Sequence, residues 1–367
     1  MADPMISLRG VSKTFDGTNF AVRDLSFDVP EGETVVLVGP SGCGKTTTMK
    51  MINRLVEPSA GQISVNGQDV MAQDPVSLRR GIGYVIQSIG LIPHRTVAEN
   101  IGTVPRLSGW DRSATMERTM ELMDMFHLDR ALLDRFPSQL SGGQRQRVGV
   151  ARALSIDPPV MLMDEPFGAV DPIVRERLQD QFLEIQESLK KTIVFVTHDI
   201  DEAIKMADKI AILNVGGTLE QFDSPETILR QPSNEFVERF IGSERGLKRL
   251  GLVNVADVDI EEGPVVTSDQ SVQDALKEMH RFGLDWVSVV DDGELRGWVD
   301  KGSLARRSLV GEAIPKPFSA YVTSSDSLRR ALDAIVTSRT SVAVVVSAGQ
   351  RYLGILTLER ISREIIV

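Results

Sequence analysis

The chain has 367 residues, 42% of them hydrophobic, and a formal net charge of −10. A chain of this length has room for roughly two or three buried cores. The acidic balance argues against nucleic acid as the main partner, because that binding needs Lys and Arg to neutralise phosphates. It argues equally against direct docking to an anionic lipid surface.

The cysteine count and the lengths of the apolar segments indicate the cellular compartment in which we expect the chain. Cys43 is the single cysteine, so an internal disulfide is excluded and a reducing cytosol is favoured. The first ten residues lack the apolar core of a signal peptide, and no run of about 18 apolar residues could span a bilayer. We expect a soluble protein that can sit against a membrane protein.

The N-terminal part of the chain alternates short apolar strands with helices. TVVLVG (34–39), VMLMDE (160–165) and TIVFVT (192–197) predict strands buried on both faces of a parallel sheet. Between Pro93 and Phe136 the apolar residues adopt helical spacing. This pattern predicts an α/β domain with a helical insertion.

An internal repeat follows a polar connector. VTSDQSVQDALKEM begins at Val266 and VTSSDSLRRALDAI at Val322, and each continues into an apolar strand and a strand that contains glycine. This similarity predicts two packed copies of one unit with the order strand–helix–strand–strand–helix. The predicted boundaries are 5–242 for the α/β domain, 243–252 for a linker, 253–310 for the first repeat and 311–367 for the second.

A glycine-rich motif lies between the first of these strands and a helix. GPSGCGKT fits G-x-x-x-x-G-K-[ST], and it follows a strand and precedes a helix as a phosphate-binding loop must. The alternative, an ordinary glycine-rich turn, would not need this context. Its N–H groups can point at the β-phosphate, Lys45 supplies positive charge, and Thr46 offers a hydroxyl to Mg²⁺. The candidate ATP-binding residues of this loop are Gly39, Pro40, Ser41, Gly42, Cys43, Gly44, Lys45, Thr46 and Thr47.

Two other strands end in polar residues that ATP hydrolysis can use. Asp164 suits Mg²⁺ through water, and Glu165 can orient the attacking water or accept its proton. The pair could instead cap a helix. His198 follows the third strand, where a lone histidine is more often structural than catalytic. The order and spacing of these signals favour the catalytic interpretation.

Together these residues resemble the nucleotide-binding subunit of ABC transporters, a P-loop NTPase fold, over residues 7 to about 242. GPSGCGKTT resembles the Walker A loop, VMLMDE Walker B with its catalytic glutamate, and LSGGQ the signature sequence. The resemblance implies ATP and Mg²⁺ as cofactors, with Glu165, His198 and Gln87 as catalytic residues. The metal-binding residues would then be Thr46, Asp164 and Gln87, which lies in the Q-loop. Gln87 and Asp164 would also contact the nucleotide.

The resemblance also implies a head-to-tail homodimer that completes each ATP site. Small residues at the start of the signature helix leave N–H groups free for an anion, which the family uses for the partner's γ-phosphate. The residues implied are Ser141, Gly142, Gly143 and Gln144, with Asp171 in the D-loop. Phe15 stands where the family stacks an aromatic ring, usually Tyr, on adenine; a core Phe is the alternative.

Further stretches resemble the ATPases of bacterial importers for glycine betaine, choline, carnitine and related osmoprotectants. They include RFPSQLSGGQRQRVGVARAL, and the repeat resembles the α+β tandem CBS module that this branch often carries. The resemblance implies a peripheral subunit at the cytoplasmic face of the inner membrane. Its partners would be permease subunits and, indirectly, an extracellular substrate-binding protein. An importer of an amino acid or of a different betaine stays open.

Two other functions compete with this interpretation. ABC ATPases that act on nucleic acid or ribosomes usually have two ATPase units or a long coiled coil, with basic patches, which this chain lacks. A regulatory CBS protein with a degenerate ATPase would have lost catalytic positions, and here all are filled.

The CBS pair departs from the pattern for adenosine nucleotides, which is Ser or Thr followed three residues later by Asp. The first repeat has Asp300 and Ser303 at these places, and the second has Thr357 and Arg360. We therefore do not expect simple AMP or ATP binding in each cleft. Two hypotheses remain: a dimerisation element that responds to ionic strength, or a site for a cyclic dinucleotide across the CBS dimer interface.

Overall fold

The structure is a computed structural model that describes residues 3–87, 90–168, 170–318, 321–347 and 349–366. The chain divides into two compact units, Met1–Ile241 and Gly242–Val367. Among the described residues, no helix has both the length and the apolar character needed to cross a bilayer.

The first unit contains two sheets and the helices that surround them. Its strands are β1 Ile6–Thr14, β2 Phe20–Val29, β3 Thr34–Val38, β4 Ala60–Val65, β5 Gln68–Asp69, β6 Ile82–Val85, β7 Val160–Asp164, β8 Thr192–Val196, β9 Lys209–Asn214 and β10 Thr218–Asp223. Its helices are α1 Lys45–Ile52, α2 Pro75–Arg80, α3 Val97–Ile101, α4 Thr103–Leu107, α5 Arg112–Met125, α6 Gly142–Ala153, α7 Pro172–Leu189, α8 Ile200–Met206, α9 Pro225–Arg230 and α10 Glu235–Ile241.

The larger sheet has the strand order β10-β9-β3-β8-β7-β6 and positions the site. Strands β6, β7, β8, β3 and β9 pair in parallel, and every residue of β3, β7 and β8 is buried. The predicted parallel α/β core is therefore confirmed. Because the strands run in one direction, the loops after β3, β6, β7 and β8 meet at one edge, where ligands bind in such sheets.

The predicted helical insertion is also present, as α3, α4 and α5. Thr96 and Glu99 form a capping box at the start of α3, and Asp111 caps α5 by accepting from Ala114 N–H at 2.8 Å. These side chains satisfy N–H groups that have no partner within the first turn of a helix. The insertion leads into α6, which begins after Ser141.

The second unit consists of two copies of one small motif. Its elements are α11 Arg245–Arg249, β11 Val265–Val266, α12 Val272–Phe282, β12 Trp286–Asp291, β13 Glu294–Asp300, α13 Lys301–Leu304, β14 Tyr321–Thr323, α14 Leu328–Thr337, β15 Val342–Val346, β16 Tyr352–Thr357 and α15 Leu358–Ile366. The sheets β11-β12-β13 and β14-β15-β16 have the same strand directions. Ser271 and Ser327, which the repeat aligns, cap α12 and α14.

The segment 243–252, which we predicted to be a linker, belongs to the second unit. It contains α11, which packs against α15, and Leu250 is fully buried in a cluster with Val322 and Leu328. The prediction of a connector relied on the polar residues of SERGLKRLG. The segment is nevertheless held in the second unit by the burial of Leu250 and by a backbone hydrogen bond, in which Arg329 N–H donates to Leu250 O at 2.9 Å.

Candidate functional site

The phosphate-binding loop joins β3 to α1, and two of its glycines are required by their surroundings. Gly44 has φ +93°, and a Cβ added there would lie 2.2 Å from Ala21 O. A Cβ on Gly39 would lie 2.1 Å from Leu213 O. A Cβ on Gly42 would meet nothing within 4 Å, so this part of the loop faces open space. The loop is pressed against its neighbours on one side and open on the other.

Lys45 lies across this loop. Its Nζ donates to Gly39 O at 2.7 Å and to Pro40 O at 3.0 Å, and the residue is buried. A buried ammonium needs such acceptors, because removing the charge from water is otherwise costly. The loop therefore presents a fixed positive charge beside its backbone N–H groups, an arrangement that suits the phosphates of a nucleotide.

Thr46 and Asp164 form the part of the site that suits a metal ion. Thr46 Oγ1 donates to Asp164 Oδ1 at 3.1 Å. Burial raises the pKa of Asp164, an effect that the bond from Thr46 opposes. Hydroxyl and carboxylate oxygens are the ligands that Mg²⁺ takes, and it usually retains several waters. Within the described residues no group of three or more His, Cys, Asp or Glu could hold a metal.

Glu165 brings the predicted catalytic residues together. Gln87 Nε2 donates to Glu165 Oε2 at 2.8 Å, and His198 Nδ1 lies 3.1 Å from Glu165 Oε1. Glu165 has φ +44°, an uncommon backbone conformation for a residue with a side chain, and its N–H donates to Val196 O at 2.9 Å. The ends of β6 and β8 thus place two polar side chains, Gln87 and His198, around the carboxylate that follows β7.

A cleft of about 250 Å³ joins Glu165 and His198, but not Gln87, to the phosphate loop. It is lined by Ala21, Ser41, Gly42, Cys43, Gly44, Lys45, Thr46, Thr47, Glu165 and His198. Ala21 is the one lining residue that sequence analysis missed, because it lies on β2 outside any motif. Cys43 is fully buried at the loop.

The other predicted nucleotide-binding residues do not line this cleft. Ser141 caps α6, its side chain accepting from Gln144 N–H at 3.2 Å, and a Cβ on Gly142 would meet nothing within 4 Å. Asp171 caps α7 by accepting from Val174 N–H at 3.1 Å. Gly143 is the second residue of α6. At the start of α6, Gly142 is therefore the small residue that faces open space, whereas Gly143 is buried against Val174.

Phe15 also lies outside the lining of the cleft. Its ring is 69% exposed, which excludes the alternative of a core phenylalanine. Lys13 Nζ lies 5.0 Å from the ring centroid, within the range of a cation–π contact. An exposed ring of this kind is available for stacking on a base.

In the second unit, the strands that contain glycine end in different polar pairs. Lys316 Nζ donates to Asp300, as does the Ser303 hydroxyl at 2.7 Å, and these contacts lower the pKa of Asp300 to about 2. At the matching place in the second repeat, Thr357 Oγ1 donates to Glu261 Oε2 at 2.7 Å. A carboxylate does therefore lie at this place, although Glu261 belongs to the first repeat in sequence. Sequence analysis missed it because Glu261 is distant in the chain.

Comparisons with known proteins agree with this arrangement. A family model described as "ABC transporter" matches residues 22–168, and one described as "CBS domain" matches 255–309 and 310–367. The chain is 47% identical over 366 residues to the osmoprotectant import ATP-binding protein OsmV of Salmonella typhimurium, covering 98% of this chain and 95% of that one. It is 47% identical over 360 residues to the carnitine transport ATP-binding protein OpuCA of Listeria monocytogenes, covering 96% and 90%.

A solved structure resembles the first unit. It is the dimeric structure of a post-hydrolysis state of the ATP-binding cassette MJ0796, bound to ADP and Pi. That structure is 32% identical to this chain with a TM-score of 0.54, and the match covers 60% of this chain and 99% of the cassette.

Proposed function

The chain belongs to the ATP-binding subunits of ABC transporters that carry a CBS pair, and we propose that it powers import of a quaternary-amine osmoprotectant through a membrane permease. The observation that carries this proposal is the convergence of Gln87 and His198 on Glu165, which lines the same cleft as the phosphate loop. The substrate class rests on full-length relatives that are named for osmoprotectant and carnitine transport. Those names disfavour the alternative of an amino-acid importer.

In the proposed ATP site, the loop residues bind the phosphates. Lys45 provides the fixed charge, and the loop is open at Gly42, where a Cβ would meet nothing within 4 Å. Phe15 stacks on the adenine ring, for which its exposure leaves it available. Thr46 and Asp164 would hold Mg²⁺, which would supply positive charge beside the phosphates.

Glu165 is the proposed base for the attacking water. Its carboxylate lies in the cleft beside the phosphate loop, and the end of β7 fixes its backbone through the bond to Val196 O. His198 lines the same cleft and can donate to the γ-phosphate from its ring. The Gln87 amide donates to Glu165 Oε2 and so occupies a lone pair of the proposed base. Gln87 would have to leave Glu165 before it could contact the metal or the water.

Hydrolysis in this proposal requires a second copy of the chain. Ser141, Gly142, Gly143 and Gln144 do not line the cleft of their own subunit. A capping box occupies the N–H groups of Ser141 and Gln144, so an anion would approach this helix N-terminus at Gly142, where a Cβ would meet nothing within 4 Å. We assign this terminus to the γ-phosphate held by the partner, and Asp171 to the same interface. The dimeric cassette with bound ADP and Pi supports the assignment.

The coupling surface is proposed to be the segment 88–100, at the cytoplasmic face of the inner membrane. Positions 88 and 89 lie outside the described residues. Ile92 is anchored to α3, because its N–H donates to Asn100 Oδ1 at 2.8 Å and its carbonyl accepts from Asn100 Nδ2 at 3.2 Å. Asn100 is fully buried, so a force on this segment is transmitted to the helical insertion.

The CBS pair is proposed to regulate this activity, and an extracellular binding protein to deliver the substrate to the permease. Asp300 is paired with Lys316, whereas Glu261, the carboxylate at the matching place beside the second repeat, is bonded to the uncharged Thr357. The two repeats therefore differ in local charge, which disfavours one shared mode of nucleotide binding. A cyclic dinucleotide across a CBS dimer interface, or a packing response to ionic strength, is the proposed signal.

The test of this function is co-purification of the full-length chain with the permease that we expect to be encoded beside it. The proposal predicts a stable complex whose ATPase activity rises when substrate and its binding protein are supplied. A chain that hydrolyses ATP but binds no membrane protein would contradict the transport function and leave the ATPase assignment intact.

A further inference from the structure

A buried carboxylate that the ATP site does not use lies on α8. Glu202 is 7% exposed, and its Oε1 accepts from Nε2 of Gln179 on α7, itself 6% exposed, at 3.0 Å. Burial raises the pKa of Glu202, an effect that the Thr197 hydroxyl and the Gln179 amide oppose. A buried polar pair is often no more stabilising than apolar residues of similar volume, and its best-attested use is to fix the register of packed elements.

Two further contacts join α7 and α8 on either side of this pair. Arg175 Nη1 lies 3.9 Å from Asp199 Oδ2, and Lys205 Nζ lies 2.6 Å from Asp180 Oδ1. Asp199 also caps α8, because its Oδ1 accepts from Glu202 N–H at 3.3 Å. The Lys205–Asp180 pair is exposed, and pairs of that kind contribute little. The Gln179–Glu202 pair is therefore the buried polar contact between α7 and α8, and α8 also packs against β3.

The two helices begin at different parts of the ATP site. α8 begins two residues after His198, whose side chain is 61% exposed and so is not held by its own packing. α7 begins directly after Asp171, and Arg175 in its first turn donates to Val170 O at 3.2 Å. A shift of α8 along α7 would move His198 away from Glu165, which lies 3.1 Å from its Nδ1.

We propose that Glu202 and Gln179 are positioning residues for the catalytic histidine. Their hydrogen bond holds α8 in one register on α7, and the start of α8 then carries His198 to Glu165. This proposal rests on the proposed function, because it assigns a role within ATP hydrolysis. It assigns no contact between Glu202 and the nucleotide.

The test replaces the pair by methionines, Gln179→Met with Glu202→Met, in the full-length chain. Methionine keeps the length and packing of the side chains but removes the hydrogen bond. Asp180→Asn is the matched control, because it removes the exposed ion pair between the same two helices. The readouts are the Kd for ATP, kcat, and the ring resonances of the four histidines in the nucleotide-free chain, with His198 assigned from His198→Gln.

We expect the double variant to fold and to bind ATP with unchanged Kd, while kcat falls about tenfold, as small misplacements of catalytic groups can cause. The His198 resonance should move, and those of His94, His127 and His280 should not. The control should leave kcat and all four resonances unchanged. If the double variant does not fold, Gln179→Met alone provides the same test, with a smaller loss of kcat and the same selective shift of His198.

A folded variant that keeps both kcat and the His198 resonance overturns the positioning role. So does a loss of kcat with no movement of His198, because the loss then arises elsewhere. A wild-type chain that fails to hydrolyse ATP would instead contradict the proposed function, so the two failures are distinguishable.

Discussion

Gln87 and Glu165 share a hydrogen bond of 2.8 Å, from the amide Nε2 to the carboxylate Oε2. His198 Nδ1 approaches the other carboxylate oxygen at 3.1 Å, so both oxygens of the proposed base have partners. A carboxylate engaged in this way is held in place but has less capacity to accept a proton from water. Movement of Gln87, at the start of the proposed coupling segment, would release one oxygen for catalysis.

Glu165→Gln should abolish turnover while leaving ATP binding intact. The amide keeps the shape of the side chain but removes the base, so kcat should fall by about 100-fold or more. The variant should also accumulate as an ATP-bound dimer. Steady-state ATPase assays and gel filtration with ATP measure the two effects, and turnover at the wild-type rate would exclude Glu165 as the base.

Lys45→Ala should instead weaken nucleotide binding itself. The substitution removes the fixed charge at the loop, together with its bonds to Gly39 O and Pro40 O. Loss of a charged hydrogen-bond donor should raise the Kd for ATP by about tenfold or more. Equilibrium binding of a fluorescent nucleotide measures the change, with Glu165→Gln as the comparison that keeps affinity. Equal affinities for the two variants would contradict the assignment.

Asp164→Asn should raise the stability of the nucleotide-free and Mg²⁺-free chain at pH 7, although it removes activity. Burial raises the pKa of Asp164 above its ordinary value of 3.8, so the native state binds more protons than the unfolded state between these two values. The stabilisation from Asp164 is present below pH 3.8 and is lost as the pH rises through the folded pKa. The asparagine should therefore raise the melting temperature at pH 7.

Asp300→Asn, in the second unit, provides a control whose expected effect on stability at pH 7 is the opposite. Lys316 and Ser303 lower the pKa of Asp300 to about 2, so its stabilisation is present above its ordinary pKa of 3.8 and is lost as the pH falls through about 2. This substitution should lower stability at pH 7. Melting curves from pH 5 to 8 distinguish the two variants, and a change of the same sign in both would contradict the account.

Much of the site was predictable from sequence because its residues directly follow buried strands. Gly39, Glu165 and His198 follow the apolar runs that became β3, β7 and β8, and parallel strands bring such ends together. The contact between Thr357 and Glu261 was not predictable, because the two residues are separated by 96 positions and neither lies in a motif that pairs them. Gln179 and Glu202 were missed for the same reason, since only tertiary packing brings α7 and α8 together.

Truncation after Ile241 should preserve ATP hydrolysis in the assembled transporter and remove its regulation. The cut belongs there rather than within α11, because Leu250 is part of the core of the second unit. We expect the full-length subunit to respond to a salt series or to cyclic di-AMP and the truncated subunit to respond to neither. Identical responses from both would show that the CBS pair is not the sensor.

The most direct test of the central claim is substrate uptake by proteoliposomes that contain the full-length chain, its permease and its binding protein. The account predicts accumulation of radiolabelled glycine betaine, carnitine or choline that requires enclosed ATP and is absent when the chain contains Glu165→Gln. Uptake of none of these amines by an assembly that still hydrolyses ATP, or equal uptake with the Glu165→Gln subunit, would contradict it.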